Sequence, residues 1–279
     1  MAPGTLFALA ALLLASFLPS ARAEEAGLTC RFFDVDKADA LLLTFPDGAR
    51  LMIDAGTNKS GKALSQRFRE EGIGRIDLLI ITHFDKDHVG GADKILDAAS
   101  VGEVLLPGYA KESKQHTQFM EALDEHPEVR VRILSAGEEA EYAFGGAALR
   151  VTAAHRDFYG KDEENDFSLS ARVVFGETRF FFTGDAENAR QQELLEEGGV
   201  ACDVLKVPYH GRAVAASAEF LKACAPKIAW IPDGPEDEAD PALVQYLEET
   251  LGADVYRSAG EGDLAVFSDG ARVSILEAP

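Results

Sequence analysis

The chain has 279 residues, of which 47% are hydrophobic and 27% charged. This is ordinary globular composition, with enough apolar material for one large domain or two small ones. The formal net charge of −21 argues against broad electrostatic capture of duplex nucleic acid, which requires a basic surface.

Residues 1–23 have the pattern of a secretory signal peptide. Residues 6–18 are almost wholly apolar, and Ala21-Arg22-Ala23 fits the small-x-small rule for a cleavage site. The apolar run is short for a membrane span, so an uncleaved anchor is the alternative. We therefore expect an exported protein, periplasmic or extracellular, whose mature domain covers 24–279 and contains no transmembrane segment.

Three cysteines, Cys30, Cys202 and Cys224, follow the predicted signal. An exported chain can form a disulfide, and Cys202 with Cys224 is then the expected pair. Three buried reduced thiols are the other interpretation.

Strands and helices alternate along the rest of the chain. Strands are predicted at 30–35, 40–45, 50–53, 76–82, 104–107, 129–134, 149–154, 169–175, 179–183, 203–207, 228–231, 264–267 and 273–276. Helices are predicted at 62–71, from 91 to about 99, around 119–123, at 187–197, at 216–224 and around 243–251. No linker divides them, which favours a single α/β domain with two sheets between helices.

The strand predicted at 76–82 ends in a cluster of possible ligands. Four of them lie within six residues: His83, Asp85, Asp87 and His88. In α/β proteins the carboxyl ends of strands carry the chemistry, although a polar loop without chemistry is the alternative.

Three further strands also end in polar residues, namely Asp54, Asp185 and His210. Imidazole and carboxylate together suit Zn²⁺, Mn²⁺ or Fe²⁺. Such an ion lowers the pKa of a bound water, and a neighbouring Asp can accept its proton.

Six segments resemble one known family. The segment 83–88 resembles the His-x-His-x-Asp-His signature of the metallo-β-lactamase fold. Its Asp at the third position is characteristic of the branch formed by the soluble hydrolase domain of ComEC competence proteins and its stand-alone relatives. The other five segments are FDVDKADA at 33–40 (branch pattern FLDVGQGDA), LMIDAG at 51–56 (ILIDAG), NDFSL at 165–169 (NDxSL), FTGDAE at 182–187 (LTGDxE) and LKVPYHG at 205–211 (LKVPHHGS).

The resemblance implies an αβ/βα four-layer sandwich of two mixed β-sheets flanked by helices, with one or two divalent ions, Mn²⁺ or Zn²⁺. It implies a ligand set in which His83 and Asp85 hold one ion, Asp87, His88 and His210 hold the other, and Asp185 lies between them. Asp87 and His88 would be catalytic, with Asp87 orienting the nucleophilic water. The residues Asp54, Asn165, Ser168 and Arg212 would support the ligands or contact the substrate.

The chain departs from the branch pattern at several positions. The histidine usual before the Ser-Leu strand is absent, and Asn165 or Asp166 stands there. Tyr209 and Arg212 replace the first His and the Ser of HHGS, and a later HPHP has become 237–241. Fewer nitrogen ligands favour Mn²⁺ over Zn²⁺, and they favour one bound ion without excluding two. His155 could be a ligand or simply a polar residue with a partner.

The ComEC domain is thought to degrade the non-transported DNA strand, so the resemblance implies a metal-dependent phosphodiesterase or nuclease acting through a metal-activated water. A phosphodiester or another small hydrolysable molecule is the expected substrate. A hydrolase of carboxylic esters, lactones or amides is the alternative on the same fold, and a non-catalytic binding protein is a third.

Overall fold

The computed structural model describes residues 27–160 and 164–276, so the predicted signal peptide lies outside the described residues. The strands are β1 Leu28–Phe32, β2 Ala40–Thr44, β3 Arg50–Ala55, β4 Arg75–Ile80, β5 Ser100–Pro107, β6 Arg130–Leu134, β7 Glu139–Phe144, β8 Ala147–Thr152, β9 Ser170–Phe175, β10 Thr178–Phe182, β11 Val204–Lys206, β12 Ile228–Ile231, β13 Asp254–Arg257, β14 Leu264–Ser268 and β15 Val273–Leu276. The helices are α1 Asn58–Glu70, α2 Ala92–Leu96, α3 Lys114–Glu125, α4 Asn188–Glu197, α5 Ser217–Cys224, α6 Pro241–Gln245 and α7 Ser258–Glu261. Short 3-10 turns span Glu164–Phe167 and Pro208–Gly211, and a π-helical turn, Tyr246–Thr250, extends α6.

The strands form two mixed sheets. The first has the order β15-β14-β1-β2-β3-β4-β5-β6, and the second has the order β13-β12-β11-β10-β9-β8-β7. Neighbours from β3 to β6 and from β10 to β13 are parallel, and the other pairs are antiparallel. The predicted arrangement of two mixed sheets between helices is confirmed.

Apolar side chains along each strand point alternately to the two faces of its sheet and fill the layers on both faces. In β10, Phe180 and Phe182 enter the core between the sheets, whereas Phe181 packs under the helices. Phe32 of the first sheet contacts both Phe182 and Trp230 of the second, with ring centroids 6.2 and 5.5 Å apart. Because strand side chains point to opposite faces in turn, one apolar run supplies two cores.

The helices cover the outer faces of the sheets. Helix α1 begins at a capping box between Thr57 and Ser60, earlier than the predicted residue 62, and buries Leu64 and Phe68 against the first sheet. Helices α4, α5 and α6 cover the second sheet. No helix in the described ranges is long and apolar enough to cross a membrane.

Two strands are absent from the sequence prediction, β7 and β13, and both are edge strands of the second sheet. Their side chains are mostly partly exposed, so their apolar signal is weak. All three cysteines are buried and carry free thiols in the structure, which agrees with the interpretation of reduced thiols.

Candidate metal centre

The two sheets meet at the edge where β4 and β10 end. The Leu169 amide donates to the Thr82 carbonyl at 2.9 Å, across the gap between the sheets. Gly184 has a φ of +54°, and a Cβ at this position would lie 2.9 Å from atoms of Ser168 and Thr82. The Gly therefore permits the close approach that brings the polar ends of both sheets into one cluster.

Asp54, at the end of β3, orients the imidazole of His88. It is fully buried and has a φ of 55°, a left-handed conformation in which Asp is enriched among non-glycine residues. Its carboxylate accepts hydrogen bonds from the Thr82 amide at 2.8 Å, the Thr82 hydroxyl at 2.6 Å and His88 Nδ1 at 2.8 Å. Because Nδ1 is held as the donor, Nε2 is the nitrogen available to a metal ion.

The Asp54 carboxylate also orients His83, through the Thr82 hydroxyl that lies between them. Its Nδ1 lies 3.2 Å from the Thr82 hydroxyl, which gives its own proton to Asp54 and therefore accepts from the imidazole. Ser168 Oγ lies 3.5 Å from the same nitrogen. His83 is fully buried, and its ring centroid is 4.0 Å from that of His88.

His210 and Asp185 come from the second sheet. His210 lies in the turn after β11 with φ 50° and ψ 31°, and its Nδ1 donates to the Pro232 carbonyl at 2.7 Å. Its Nε2 is 2.9 Å from Asp185 Oδ2, and His88 Nε2 is 3.4 Å from the same oxygen. Asp185 is thus the point on which two imidazole nitrogens converge.

Asp39 and Lys206 belong to the centre and were not assigned from the sequence, although both lie in segments that carry the resemblance. Lys206 is 1% exposed, and its Nζ contacts Asp39 Oδ2 at 2.6 Å, Asp185 Oδ1 at 3.1 Å and the Gly184 carbonyl at 2.8 Å. Asp39 lies 3.8 Å from Nδ1 of both His88 and His210. It therefore lies on the Nδ1 side of these rings, whereas Asp185 contacts their Nε2 atoms.

The other two predicted carboxylate ligands are partly exposed. Asp85 pairs with Lys111, which also contacts Glu164, and its Oδ2 is 4.0 Å from His83 Nε2. Asp87 lies 3.5 Å from His210 Nε2 and 4.0 Å from the ammonium of Lys37.

The remaining predicted residues divide between the interior and the rim. Ser168 is buried, and its Oγ accepts a hydrogen bond from the Asp185 amide at 3.1 Å. Asn165 donates to Glu187 at 2.8 Å. Arg212 is partly exposed and pairs with Asp237. His155 contacts Glu197 at 3.1 Å, away from this cluster.

The charges of the cluster favour bound cations. Burial alone would lower the pKa of His210, but Asp185 outweighs it and raises the pKa to about 9. Burial is likewise outweighed at His88, whose pKa is raised well above its usual value by Asp185, Asp39 and Asp54. At His83, burial and the neighbouring His88 prevail and lower the pKa to about 4. A divalent ion would therefore displace protons from His88 and His210 as it binds.

The donor set fits such an ion. Nε2 of His83, His88 and His210 is buried and, among the described residues, lacks a hydrogen-bond partner. A ligand position accounts for such atoms, which otherwise cost stability. Asp39, His88, Asp185 and His210 each offer an atom within 4.8 Å of the others. Imidazole nitrogen and carboxylate oxygen are ligands of divalent transition metals, so the centre implies a divalent cation.

Comparison with known proteins agrees with the geometry. The chain is 26% identical over 220 residues to ComE operon protein 3 of Bacillus subtilis, covering 72% of this chain and 28% of that protein. It is 26% identical over 206 residues to Recombination protein 2 of Haemophilus influenzae, covering 72% and 24%. The chain thus spans about a quarter of the length of these curated relatives.

Among solved structures, the metallo-beta-lactamase fold protein YhfI from Bacillus subtilis superimposes with a TM-score of 0.59 at 13% identity, covering 87% of this chain and 100% of that one. This likeness shows the shared fold. The sequence model of the Metallo-beta-lactamase superfamily matches residues 34–232, which contain every residue of the centre described above. The chain therefore belongs to the metallo-beta-lactamase superfamily.

Proposed function

We propose that this protein is an exported, divalent-metal-dependent phosphodiesterase that acts as a nuclease on short or single-stranded substrates. The observation that carries the proposal is the convergence of the His88 and His210 Nε2 atoms on one oxygen of Asp185, at 3.4 and 2.9 Å. The name of one curated relative, Recombination protein 2, supports a nucleic-acid substrate.

The chemistry is hydrolysis of a phosphate ester. A divalent ion, when bound, supplies a Lewis acid that activates water and polarises a phosphoryl oxygen. The water oxygen attacks phosphorus, the ester P–O bond breaks, and the products are a phosphate monoester and an alcohol.

We assign the orientation of the attacking water to Asp87. Its side chain is 15% exposed, so it lies between the buried ligands and solvent. Burial raises its pKa, but the contact with His210 at 3.5 Å and the charge of His88 outweigh that effect and hold the pKa well below its usual value. The carboxylate therefore stays ionised and accepts a hydrogen bond from the water.

Positive side chains at the rim support an anionic substrate. Lys37, Lys111 and Arg212 come from three loops, and each is paired with a carboxylate of the rim. A phosphodiester can take the place of such a partner, because ammonium and guanidinium groups bind phosphate oxygens. An open cleft of about 460 Å³ beside Asp85 and Lys111 gives room for a small substrate. The net charge of −21 disfavours long duplexes.

The test is hydrolysis by the purified chain loaded with Mn²⁺. We expect turnover of bis-p-nitrophenyl phosphate and of single-stranded DNA, and loss of both in Asp87→Asn. Intact DNA and intact diester would refute the proposal. Turnover of carboxylic esters or lactones alone would assign the centre to the other hydrolase class.

Export is tested separately by expression of the whole chain in a bacterial host. N-terminal sequencing of periplasmic material should begin at residue 24. A chain that keeps its first residue and stays with the cytoplasm would refute export and leave the enzymatic proposal in place.

A further inference from the structure

Three residues at which the chain departs from the branch pattern contact one another at the rim of the centre. Arg212 follows His210 by two residues and donates a hydrogen bond to Asp237 Oδ1. Its guanidinium carbon lies 5.5 Å from the centroid of the Tyr209 ring. Such a contact with an aromatic face favours one orientation of the guanidinium. The three departures therefore form one unit beside His210.

The Asp237 carboxylate joins cations from both sheets. Its Oδ1 accepts from Arg212, which follows β11 of the second sheet. Its Oδ2 lies 3.2 Å from Nζ of Lys37, which follows β1 of the first sheet. Each carboxylate oxygen thus faces its own cation, as two free oxygens of a phosphate group would. Lys37 Nζ is also 4.0 Å from Asp87 Oδ2, so the cation pair lies beside the residue to which we assign the attacking water.

A short turn holds Asp237 between the two cations. The Asp237 amide donates to the Gly234 carbonyl at 3.0 Å. Gly234 lies so close to the first loop that a Cβ on it would be 3.3 Å from the Lys37 amide nitrogen. On the other side, the Asp240 amide donates to the Gly211 carbonyl at 3.0 Å. The turn is therefore fixed to both neighbouring loops, whereas the side chain of Asp237 is 38% exposed and can rotate into solvent.

The other rim cluster, around Lys111, has the opposite balance of charge. There one ammonium lies between the carboxylates of Asp85 and Glu164, so the cluster is negative overall. At Asp237, one carboxylate lies between two cations, and its departure leaves two positive charges close together. Of these two clusters, the one at Asp237 therefore becomes an anion site when a single carboxylate moves away.

We infer that Lys37 and Arg212 form a subsite for a phosphate group of the substrate, and that Asp237 occupies this subsite as an internal competitor until the substrate displaces it. The ligand class is a phosphate ester with at least two free oxygens, one for each cation. Ion pairs between exposed side chains are weak, so a phosphate group can displace the carboxylate at little cost. Because the occupied subsite cannot bind phosphate, Asp237 lowers the apparent affinity. The inference deepens the function proposed above and rests on it for the identity of the substrate.

Affinity for inorganic phosphate tests the inference without turnover. On the whole chain, loaded with Mn²⁺ and dialysed free of excess metal, calorimetry measures the Kd for phosphate, and hydrolysis of bis-p-nitrophenyl phosphate gives the KM. Asp237→Asn should lower both constants about 2–10-fold, a gain that a damaged fold cannot produce. Glu236→Gln is the matched control, because it removes the same charge from an exposed neighbour in the same turn. It should leave both constants within about 2-fold of wild type.

Variants of the two cations should have the opposite effect. Lys37→Gln and Arg212→Gln should each raise the Kd for phosphate about 2–5-fold, and in a chain that carries both changes Asp237→Asn should no longer lower it. An unchanged Kd in Asp237→Asn, or an equal gain in Glu236→Gln, would overturn the inference, and the proposed phosphodiesterase would stand if the diester is still cleaved. The expected pattern of phosphate affinities in a chain that cleaves no phosphodiester would refute the proposed function and support the subsite.

Discussion

Replacing Asp54 with Asn tests whether this carboxylate sets the imidazole tautomer of the metal centre. The amide has the same shape, and Asn tolerates the positive φ of 55°. Its oxygen can keep the hydrogen bond from the Thr82 amide. Its nitrogen, however, replaces Oδ2, which accepts from both the Thr82 hydroxyl and His88 Nδ1.

The Thr82 hydroxyl can rotate and accept a hydrogen bond from the introduced amide. His88 can respond in one of two ways. Either its Nδ1–H is left without an acceptor, or the proton moves to Nε2 and Nδ1 becomes the acceptor. The second choice protonates the atom that lies 3.4 Å from Asp185 and removes it as a ligand. Losing a charged acceptor costs about 1.5–3 kcal/mol of stability.

Metal affinity should fall about 10–100-fold, as for other residues that orient a ligand. That fall equals about 1.4–2.8 kcal/mol, at 1.4 kcal/mol for each factor of ten. Calorimetry with Mn²⁺ measures the affinity, and ¹⁵N NMR of the chain loaded with diamagnetic Zn²⁺ identifies which nitrogen of His88 carries the proton. Asp36→Asn is the matched control, because Asp36 also has a positive φ, 61°, but is exposed. Unchanged affinity in Asp54→Asn, or an equal loss in the control, would refute the tautomer argument.

Three further predictions concern stability. At an ion concentration of 100 Kd, metal binding should stabilise the fold by about 2.7 kcal/mol. Scanning fluorimetry should therefore give a lower Tm in chelator than in Mn²⁺. Equal Tm values would contradict the metal centre. Phe182→Ala should cost about 3–5 kcal/mol in urea unfolding, because this ring is buried between the sheets, whereas the exposed Phe158→Ala should stay within about 0.5 kcal/mol. The hydrogen bond from Arg31 is the main cause that lowers the pKa of Glu71 from 4.5 to about 2; Arg67 adds to it, and partial burial opposes it. Since the folded pKa is depressed, the stabilisation is present above pH 4.5 and lost as the pH falls toward 2, so Glu71→Gln should have a lower Tm than wild type at pH 7 and the same Tm near pH 2.

The sequence predicts most of this fold, because the apolar alternation and the turn residues are strong along the buried strands. The phenylalanine run of β10 shows the reason: each side chain enters a packed layer, so nearly every position carries an apolar signal. Strand β7 was missed because its residues Glu139 and Glu141 face solvent at a sheet edge. For such strands the pairing partner, and not the local pattern, decides the conformation.

The metal centre was predictable where its ligands follow one buried strand. His83 and His88 lie within six residues, and their position after an apolar run suffices to suggest a metal site. The pairing of Asp85 was not predictable in the same way. Lys111 is an isolated positive residue in a predicted loop. Only the folded structure shows that it pairs with Asp85 and with Glu164 from another loop.

Lys206 shows most clearly why sequence patterns leave part of such a centre hidden. Lys206 lies in an apolar strand, and its neighbours in the sequence offer no partner for its charge. An uncompensated ammonium at 1% exposure would be strongly destabilising. Its compensation comes from Asp39, which lies 167 residues earlier in a loop of the other sheet, and from Asp185 at the end of the neighbouring strand. The three charges stabilise one another only after the two sheets have packed, so each taken alone looks like an ordinary polar residue. Packing also brings Asp185 Oδ2 to 2.9 Å from His210 Nε2 and to 3.4 Å from His88 Nε2, so the donor atoms of the centre meet only in the folded chain.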